Sequence, residues 1–87
     1  MTSKYTTVFK AEARLELRKV PRERATAILR RLAELETGPF AFGAAALVGA
    51  PGRRRLRVGD YRVVYTVDNG QLIIVVVQVG RRSTIYD

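Results

Sequence analysis

The spacing of the arginines in this sequence indicates a site that binds phosphate. Arg53, Arg55 and Arg57 alternate with other residues, which would place them on one face of a strand. A guanidinium group binds phosphate through two parallel hydrogen bonds and stays charged at any relevant pH. Such groups can hold a phosphodiester and stabilise the extra negative charge of its pentacoordinate transition state. The candidate residues are Arg53, Arg55, Arg57, Arg62, Arg81 and Arg82.

A two-residue turn, Gly59-Asp60, predicts how the two arginine-bearing strands pair. Glycine in the first position is typical of a type II′ hairpin, and the residues that follow are rich in strand-forming types. With this turn, Arg57 lies directly opposite Arg62. Like charges in that position destabilise an antiparallel ladder. Either both guanidinium groups splay into solvent, or an anion binds between them.

Charge and composition narrow the classes of partner. The chain of 87 residues is predicted to form one small domain, residues 1–87, with a modest core. Its net charge of +8 and isoelectric point near 10.9 favour a polyanionic partner, most simply nucleic acid or ribonucleoprotein. Neither histidine nor cysteine is present, so thiolate chemistry and the commonest metal ligands are excluded. We expect no metal and no cofactor.

The sequence contains neither a recognisable signal peptide nor an apolar stretch long enough to span a membrane. The N-terminal residues MTSKYTTVFK lack the apolar stretch of a signal peptide. The longest apolar run, Leu72 to Val77, is far too short to cross a bilayer. We therefore expect a cytoplasmic protein with no membrane partner.

The apolar spacing predicts a strand followed by two helices. The first strand is expected from Tyr5 to Lys10, and a short helix from Ala11 to Lys19 with Ala11 and Leu15 on one face. Pro21 opens the second helix, and Gly38-Pro39 ends it. The apolar stripe of the second helix consists of Ala25, Ile28, Leu29, Leu32 and Leu35. The exposed arginines of both helices are read as a solvated face in preference to a second binding site.

Three strands are expected to complete an α+β fold of order β-α-α-β-β-β, with an αα-hairpin packed on one face of a twisted, mostly antiparallel sheet. Residues 40–52 are read as a packed loop, anchored by Leu47 and by Phe40 or Phe42. Asn69-Gly70 predicts a second hairpin that sets Tyr65 opposite Ile74. The last strand should be central, because it is apolar on both faces.

These pairings predict two faces of the sheet. The helices should cover a face that consists of Leu56, Val58, Tyr61, Val63, Tyr65, Leu72, Ile74 and Val76. The other face should carry a basic rim beside an exposed apolar centre, made of Arg53, Arg55, Arg57, Arg62, Val64, Ile73, Val75, Val77 and Val79. An apolar patch of this kind marks a protein partner, unless the loop or the tail folds over it.

The chain resembles the RelE/ParE superfamily of bacterial toxins from toxin–antitoxin pairs. The resemblance spans nearly the whole sequence and includes a Leu-x-Gly, here Leu47-Val48-Gly49. Its most specific parts are R-L-R-V-G-D-Y-R-V-V-Y, residues 55–65, and V-G-R-R-S-T-I-Y, residues 79–86. Both parts are more similar to the RelE branch than to the gyrase-poisoning ParE branch. The resemblance implies a cognate antitoxin whose segment folds as it covers the basic site.

RelE-type toxins enter the ribosomal A site and cut mRNA there without a metal, so the ribosome and mRNA are implied partners. The resemblance implies that Arg62 stabilises the phosphate in the transition state and that Arg82 assists protonation of the leaving group. It implies that Tyr86 stacks on and orients a nucleotide. Arg53, Arg55, Arg57 and Arg81 are expected to bind RNA.

Two features depart from the family pattern. Arg55 and Arg57 stand where some members carry two lysines, and an arginine with a pKa above about 12 is a poor proton acceptor. Strand alternation from Val79 also puts Arg81, not Arg82, on the face of Arg62, unless a bulge near Gly80 resets the alternation. We nevertheless assign the second catalytic role to Arg82.

Three hypotheses therefore stand. The first is a ribosome-dependent mRNA endonuclease, which requires Arg62 and Arg82 to be exposed in one concave basic site. The second is a ParE-like toxin that inhibits DNA gyrase through protein contacts. The third is a catalytically weak member that acts mainly as an antitoxin-binding partner and co-repressor.

Overall fold

Two helices and five strands form the part of the chain that the computed structural model describes, residues 4–38, 44–46 and 52–81. In chain order they are β1 (Thr6–Phe9), α1 (Ala11–Arg18), α2 (Arg22–Leu35), β2 (Ala44–Ala46), β3 (Arg53–Val58), β4 (Tyr61–Asp68) and β5 (Ile73–Arg81). One sheet has the order β1-β5-β4-β3-β2, in which β1 runs parallel to β5 and the other pairs are antiparallel. The predicted α+β class and the central position of the last strand are confirmed. Within the described ranges, neither helix has the length and apolarity needed to span a bilayer.

A short strand, β2, lies within the segment that the sequence predicts to be a loop. Ala44–Ala46 pairs antiparallel with residues 54–56 of β3. Alanine has a low strand propensity, but the outer edge of β3 offers backbone donors and acceptors that a neighbouring segment can satisfy. The pairing therefore reflects the edge of the sheet and not the local sequence. The expected anchors Phe40, Phe42 and Leu47 lie outside the described residues.

The apolar stripe of α2 packs on the sheet much as its spacing predicts. Ile28, Leu32 and Leu35 are buried, with relative exposures of 0 to 2%. Leu29 belongs to the predicted stripe, but 47% of it is exposed. A 3.6-residue period places Leu29 about 100° away from Ile28 around the helix, beyond the surface that the sheet covers.

Helix α1 uses a different face from the one predicted. Ala13 is fully buried and Leu17 packs against the core, whereas Leu15 is 56% exposed. Both Ala11–Leu15 and Ala13–Leu17 have the four-residue spacing of a helix face, so the eight residues of α1 do not distinguish them. The direction in which α1 leaves β1 decides which pair meets the sheet.

Two glutamates satisfy backbone donors along the β1–β5 edge of the sheet. The Oε2 atom of Glu36 accepts hydrogen bonds from the Thr7 backbone N–H, at 3.0 Å, and from the Thr7 hydroxyl, at 2.7 Å. Beyond the end of β1, the Val79 N–H donates to Oε1 of Glu16 at 3.1 Å. These contacts occupy edge groups that would otherwise be available to another strand.

The loop between β4 and β5 is longer than the predicted two-residue turn. Asp68 pairs with Ile73, and Tyr65 faces Val76 instead of Ile74, so the predicted register is wrong. Oδ1 of Asp68 accepts hydrogen bonds from the backbone N–H groups of Gly70 and Gln71, each at 3.0 Å. An aspartate that binds its own following backbone stabilises such a wider turn.

The wider turn also removes a residue from the predicted core. Leu72 has a φ of 58° and is 37% exposed, so it belongs to the turn and not to the face that the helices cover. A leucine in the left-handed region is strained. The side-chain hydrogen bonds of Asp68 offset part of that strain.

Gly59, in the turn between β3 and β4, has a backbone conformation that strains any other residue. Gly59 has a φ of 57° and Asp60 does not have a positive φ, as the predicted type II′ turn requires. Gly59→Ala is expected to lower the free energy of unfolding by about 1–2 kcal/mol, because an L-residue is strained in the left-handed region. Urea denaturation measures the change.

Gly38→Ala is the matched control for this substitution. An added Cβ at Gly38 would have no atom within 4 Å, whereas one at Gly59 would lie 3.4 Å from Nη1 of Arg24. We expect a change within about 0.5 kcal/mol for Gly38→Ala. Equal losses in the two variants would contradict the strain explanation.

Candidate functional site

Four arginines of β3 and β4 occupy the side of the sheet opposite the helices, and we call them the arginine face: Arg53, Arg55, Arg57 and Arg62. Arg57 pairs directly with Arg62, as the Gly59-Asp60 turn predicts. Arg55 lies opposite Val64, and Arg53 lies opposite Thr66. The ladder thus brings together residues from two strands in the predicted register.

The members of the arginine face differ in exposure. Arg53 and Arg57 are exposed and Arg55 is half-buried, but only 6% of Arg62 is exposed. The nuclease hypothesis requires an exposed Arg62, and Arg62 does not meet that requirement in this structure. β4 is an interior strand, flanked by β3 and β5, whereas β3 has the short strand β2 beside its residues 54–56.

The exposed and the buried arginines differ in how strongly they interact with an anion. Arg57 and Arg53 can meet an anion in solvent, where Coulomb attraction is strongly weakened by water. A buried guanidinium such as that of Arg62 interacts more strongly with any phosphate that reaches it, because the local dielectric constant is lower. The exposed arginines can attract a polyanion, and the buried one can stabilise charge.

A β-bulge in the β4–β5 pairing decides which residues of β5 share this face. The register shifts between Val64 and Tyr65, so that Val64 faces Gln78 and Arg62 faces Gly80. The sequence predicts Val77 opposite Arg62, which is wrong. A bulge does reset the alternation of side chains between the two faces of β5, but it lies at the centre of β5 and not near Gly80. A glycine opposite Arg62 leaves room for a large neighbouring side chain.

Because of the bulge, Arg81 lies on the helix side of the sheet. It pairs with Tyr61, a residue of the core, and its guanidinium carbon is 5.8 Å from the centroid of the Tyr61 ring. Strand alternation had placed Arg81 beside Arg62. Val79 also lies on the other face from the one predicted. The sequence places it on the arginine face, but it is buried in the core with 1% exposure.

The apolar centre predicted beside the arginine face is not open. Val64 is 1% exposed, and Ile73, Val75 and Val77 are half-buried. Val8, on the neighbouring strand β1, is the more exposed apolar residue of this region at 44%. The centre of this face is therefore only partly exposed.

The remaining predicted catalytic residues, Arg82 and Tyr86, lie outside the described residues. Their roles stay predictions. In the described ranges, no group of three or more metal-ligating side chains comes together.

A buried contact that the sequence analysis missed joins Arg54 to Tyr65 on the helix side of the sheet. Tyr65 is fully buried, and the Arg54 guanidinium donates a hydrogen bond to its hydroxyl oxygen. Burial raises the pKa of the Tyr65 phenol, and the hydrogen bond and charge of Arg54 oppose part of that rise. The alternation of Arg54 with Arg53 and Arg55 was a signal that it faces the core.

The raised pKa of Tyr65 predicts a loss of stability in alkaline solution. The folded state holds the phenolic proton more tightly than the unfolded state, whose tyrosine pKa is about 10. The contribution of the protonated Tyr65 to the free energy of unfolding is fully present below the unfolded pKa of about 10 and is lost as the pH rises through the folded pKa. We expect Tyr65→Phe to lose less stability than the wild type above about pH 10, as measured by urea denaturation across this range. Parallel profiles for the two proteins would contradict this assignment.

Two adjoining clefts on the helix side were also missed. A cleft of about 400 Å³ is lined by Pro21, Arg22, Glu23, Arg24, Asp60, Tyr61 and Arg81. A second cleft of about 250 Å³ is lined by Glu16, Lys19, Val20, Tyr61, Val79, Gly80 and Arg81. The sequence signal was the run of cations around the connection between the helices, which was read as a solvated face.

The sequence matches one known family over most of its length. Residues 7–86 fit the family described as the ParE toxin of the type II toxin–antitoxin system parDE. No curated protein matches the sequence significantly.

Solved structures share the fold. A chain of the toxin–antitoxin complex RelBE2 from Mycobacterium tuberculosis is 27% identical, with a TM-score of 0.81 over 91% of this chain and 99% of that chain. The isolated E. coli RelE toxin is 25% identical, with a TM-score of 0.79 over 88% and 83% of the respective chains. A YoeB/ParE toxin from Agrobacterium tumefaciens is 19% identical, with a TM-score of 0.77 over 88% and 98%, which shows likeness of fold alone. The expected RelE-like fold is confirmed.

Proposed function

The chain belongs to the ParE toxin family of type II toxin–antitoxin systems, within the RelE/ParE superfamily, and we propose that this toxin cuts mRNA in the ribosomal A site. The substrate is a phosphodiester of mRNA held on the arginine face. The reaction needs no metal, and translation is inhibited because the message is broken. The site of action is then the cytoplasm.

The observation that carries the proposal is the direct pairing of Arg57 with Arg62. Two like charges directly opposite each other weaken an antiparallel ladder. A phosphate bound between or beside the two guanidinium groups removes the repulsion. Arg53 and Arg55 extend the same basic surface along β3.

The proposed reaction is an attack within the RNA itself. The 2′-oxygen of one nucleotide attacks the adjacent phosphorus, the bond from phosphorus to the 5′-oxygen of the next nucleotide breaks, and a 2′,3′-cyclic phosphate remains. Negative charge accumulates on the phosphoryl oxygens in the transition state. We assign stabilisation of that charge to Arg62, and its small exposure supports the assignment because a low local dielectric constant strengthens the interaction.

Two proton transfers complete the reaction. Arg55 and Arg57 are poor proton acceptors, so the proton of the attacking 2′-hydroxyl goes to Tyr86 or to a group of ribosomal RNA. Arg82 assists protonation of the leaving 5′-oxygen.

A cognate antitoxin is the partner that the family implies. Several of the solved structures with this fold are toxin–antitoxin complexes, among them RelBE2 and the E. coli RelBE complex. The net charge of +8 favours an acidic segment of such an antitoxin over the basic surfaces. The ribosome and mRNA belong to the proposed activity.

The test is cleavage of a defined mRNA on programmed ribosomes, with primer extension to map the ends. Cuts confined to the A-site codon are the expected result. The matched comparison is the same mRNA without ribosomes, which should stay intact. Absence of cuts by a protein that still arrests growth would overturn the proposal.

Inhibition of DNA gyrase is the second candidate function, because the matching family is that of ParE toxins. A supercoiling assay with purified gyrase separates the two candidates. Inhibition of supercoiling that survives substitution of Arg57 and Arg62 would favour it. A protein inactive in both assays that binds its antitoxin and strengthens repression would instead be a co-repressor.

A further inference from the structure

Four cations gather where the helix hairpin meets the end of the sheet, and we call them the basic corner: Lys19, Arg22, Arg24 and Arg81. Arg22, Arg24 and Arg81 line the cleft of about 400 Å³. Lys19 and Arg81 line the smaller cleft of about 250 Å³ beside it. The two clefts share Tyr61 and Arg81, so they form one continuous surface.

Folding contacts account for only part of this cluster. Arg81 lies over the Tyr61 ring, 5.8 Å from its centroid, and the ring fixes the position of its guanidinium. Arg24 lies against the turn at Gly59. Glu16, the acidic residue of the smaller cleft, is engaged by the Val79 backbone N–H. Glu16, Glu23 and Asp60 are the three carboxylates that line the two clefts with the four cations, which leaves the corner with a small positive balance.

The basic corner is separate from the arginine face. Tyr61 and Arg62 are consecutive in β4, and consecutive side chains of a strand point to opposite sides of a sheet. The pairing confirms this, because Arg81 faces Tyr61 on the helix side and Gly80 faces Arg62 on the other. A phosphate on Arg62 cannot be the one that reaches Arg81.

We propose that the basic corner binds the phosphodiester backbone of a nucleic acid, as a second contact distinct from the arginine face. Guanidinium groups from α2 and β5 converge on one cleft, and such forks bind phosphate oxygens in pairs. Contacts to phosphate oxygens position a nucleic acid by its charge and shape and not by its sequence. The corner would anchor a structured RNA, or duplex DNA, while the opposite side of the sheet is occupied.

The test compares two double variants that remove equal charge. Arg22→Gln/Arg24→Gln alters the corner. Arg30→Gln/Lys4→Gln alters two exposed residues outside it, and Arg30 lies eight residues, or about 12 Å, along α2 from Arg22. Fluorescence anisotropy measures the binding of a labelled RNA hairpin, and of a DNA hairpin of the same sequence, over a range of KCl concentrations.

The corner variant is expected to bind more weakly and with a smaller salt dependence. Each lost phosphate contact reduces the slope of log K against log salt by about 0.7–0.9, so two contacts reduce it by roughly 1.5. The control variant should keep the wild-type slope. A reduction with the RNA hairpin, with the DNA hairpin or with both supports the proposal and tells which backbone the corner prefers.

Three outcomes would overturn it. The corner variant could keep the wild-type slope with both hairpins, or the two double variants could change equally, which would mean that net charge alone matters. Weaker binding of labelled polyglutamate with unchanged hairpin binding would assign the corner to an acidic peptide. The assay scores binding without cleavage, so failure of the proposed nuclease activity leaves its result intact.

Discussion

Arg62→Ala is expected to lower the rate of A-site cleavage by about 10²–10³-fold, the usual effect of removing one donor that stabilises transition-state charge. Arg62 lies opposite Arg57 and is only 6% exposed, so its interaction with the reacting phosphate is weakly screened by solvent. The substitution should affect the chemical step more than ribosome binding. Single-turnover cleavage on saturating ribosomes measures that step.

Three companion variants make this result interpretable. Arg57→Ala should weaken binding more than the chemical step, because Arg57 is exposed at the rim of the arginine face. Arg62→Lys keeps the charge but loses the two-pronged hydrogen bonding, so an intermediate rate is expected. Arg30→Ala, an exposed arginine on α2, should cleave like the wild type.

Stability must be measured beside activity, since Arg62 is a buried residue. Thermal unfolding and antitoxin binding report whether Arg62→Ala keeps the native fold. A folded Arg62→Ala variant with the wild-type single-turnover rate would contradict the role of Arg62. It would direct attention to Arg82 and Tyr86 as the residues that carry the reaction.

Ile28→Ala is expected to lower the free energy of unfolding by about 2–5 kcal/mol. Ile28 is fully buried within the core cluster between α2 and the sheet. Truncation removes its apolar contacts and leaves a cavity that a close-packed interior fills only in part. A domain of this size has a total stability of only about 5–15 kcal/mol, so the loss should be visible in urea denaturation at room temperature.

Leu29→Ala is the matched control, one position further along the same helix. Leu29 is 47% exposed, and its truncation should cost much less, within about 1 kcal/mol. The sequence pattern assigns both residues to one apolar stripe, so only the orientation of α2 on the sheet distinguishes them. Comparable losses for the two variants would mean that α2 is rotated relative to this structure.

The features that follow from short-range chemistry could be read from the sequence. The turn at Gly59-Asp60 fixes the β3–β4 register because a two-residue loop allows one pairing, and that register sets Arg57 opposite Arg62. The spacing of Ile28, Leu32 and Leu35 fixes the inward face of α2. The order of elements and the composition of the arginine face followed from these two patterns.

What the tertiary structure alone decided depends on contacts between distant parts of the chain. A bulge in the β4–β5 pairing exchanges the two faces of β5. One inserted residue moves every later side chain to the other face, because the strand repeat is two. The sequence by itself thus determined that Arg62 and Arg57 share a surface. The tertiary structure decided that Arg62 is buried, and that Arg81 joins Arg22 and Arg24 on the opposite side.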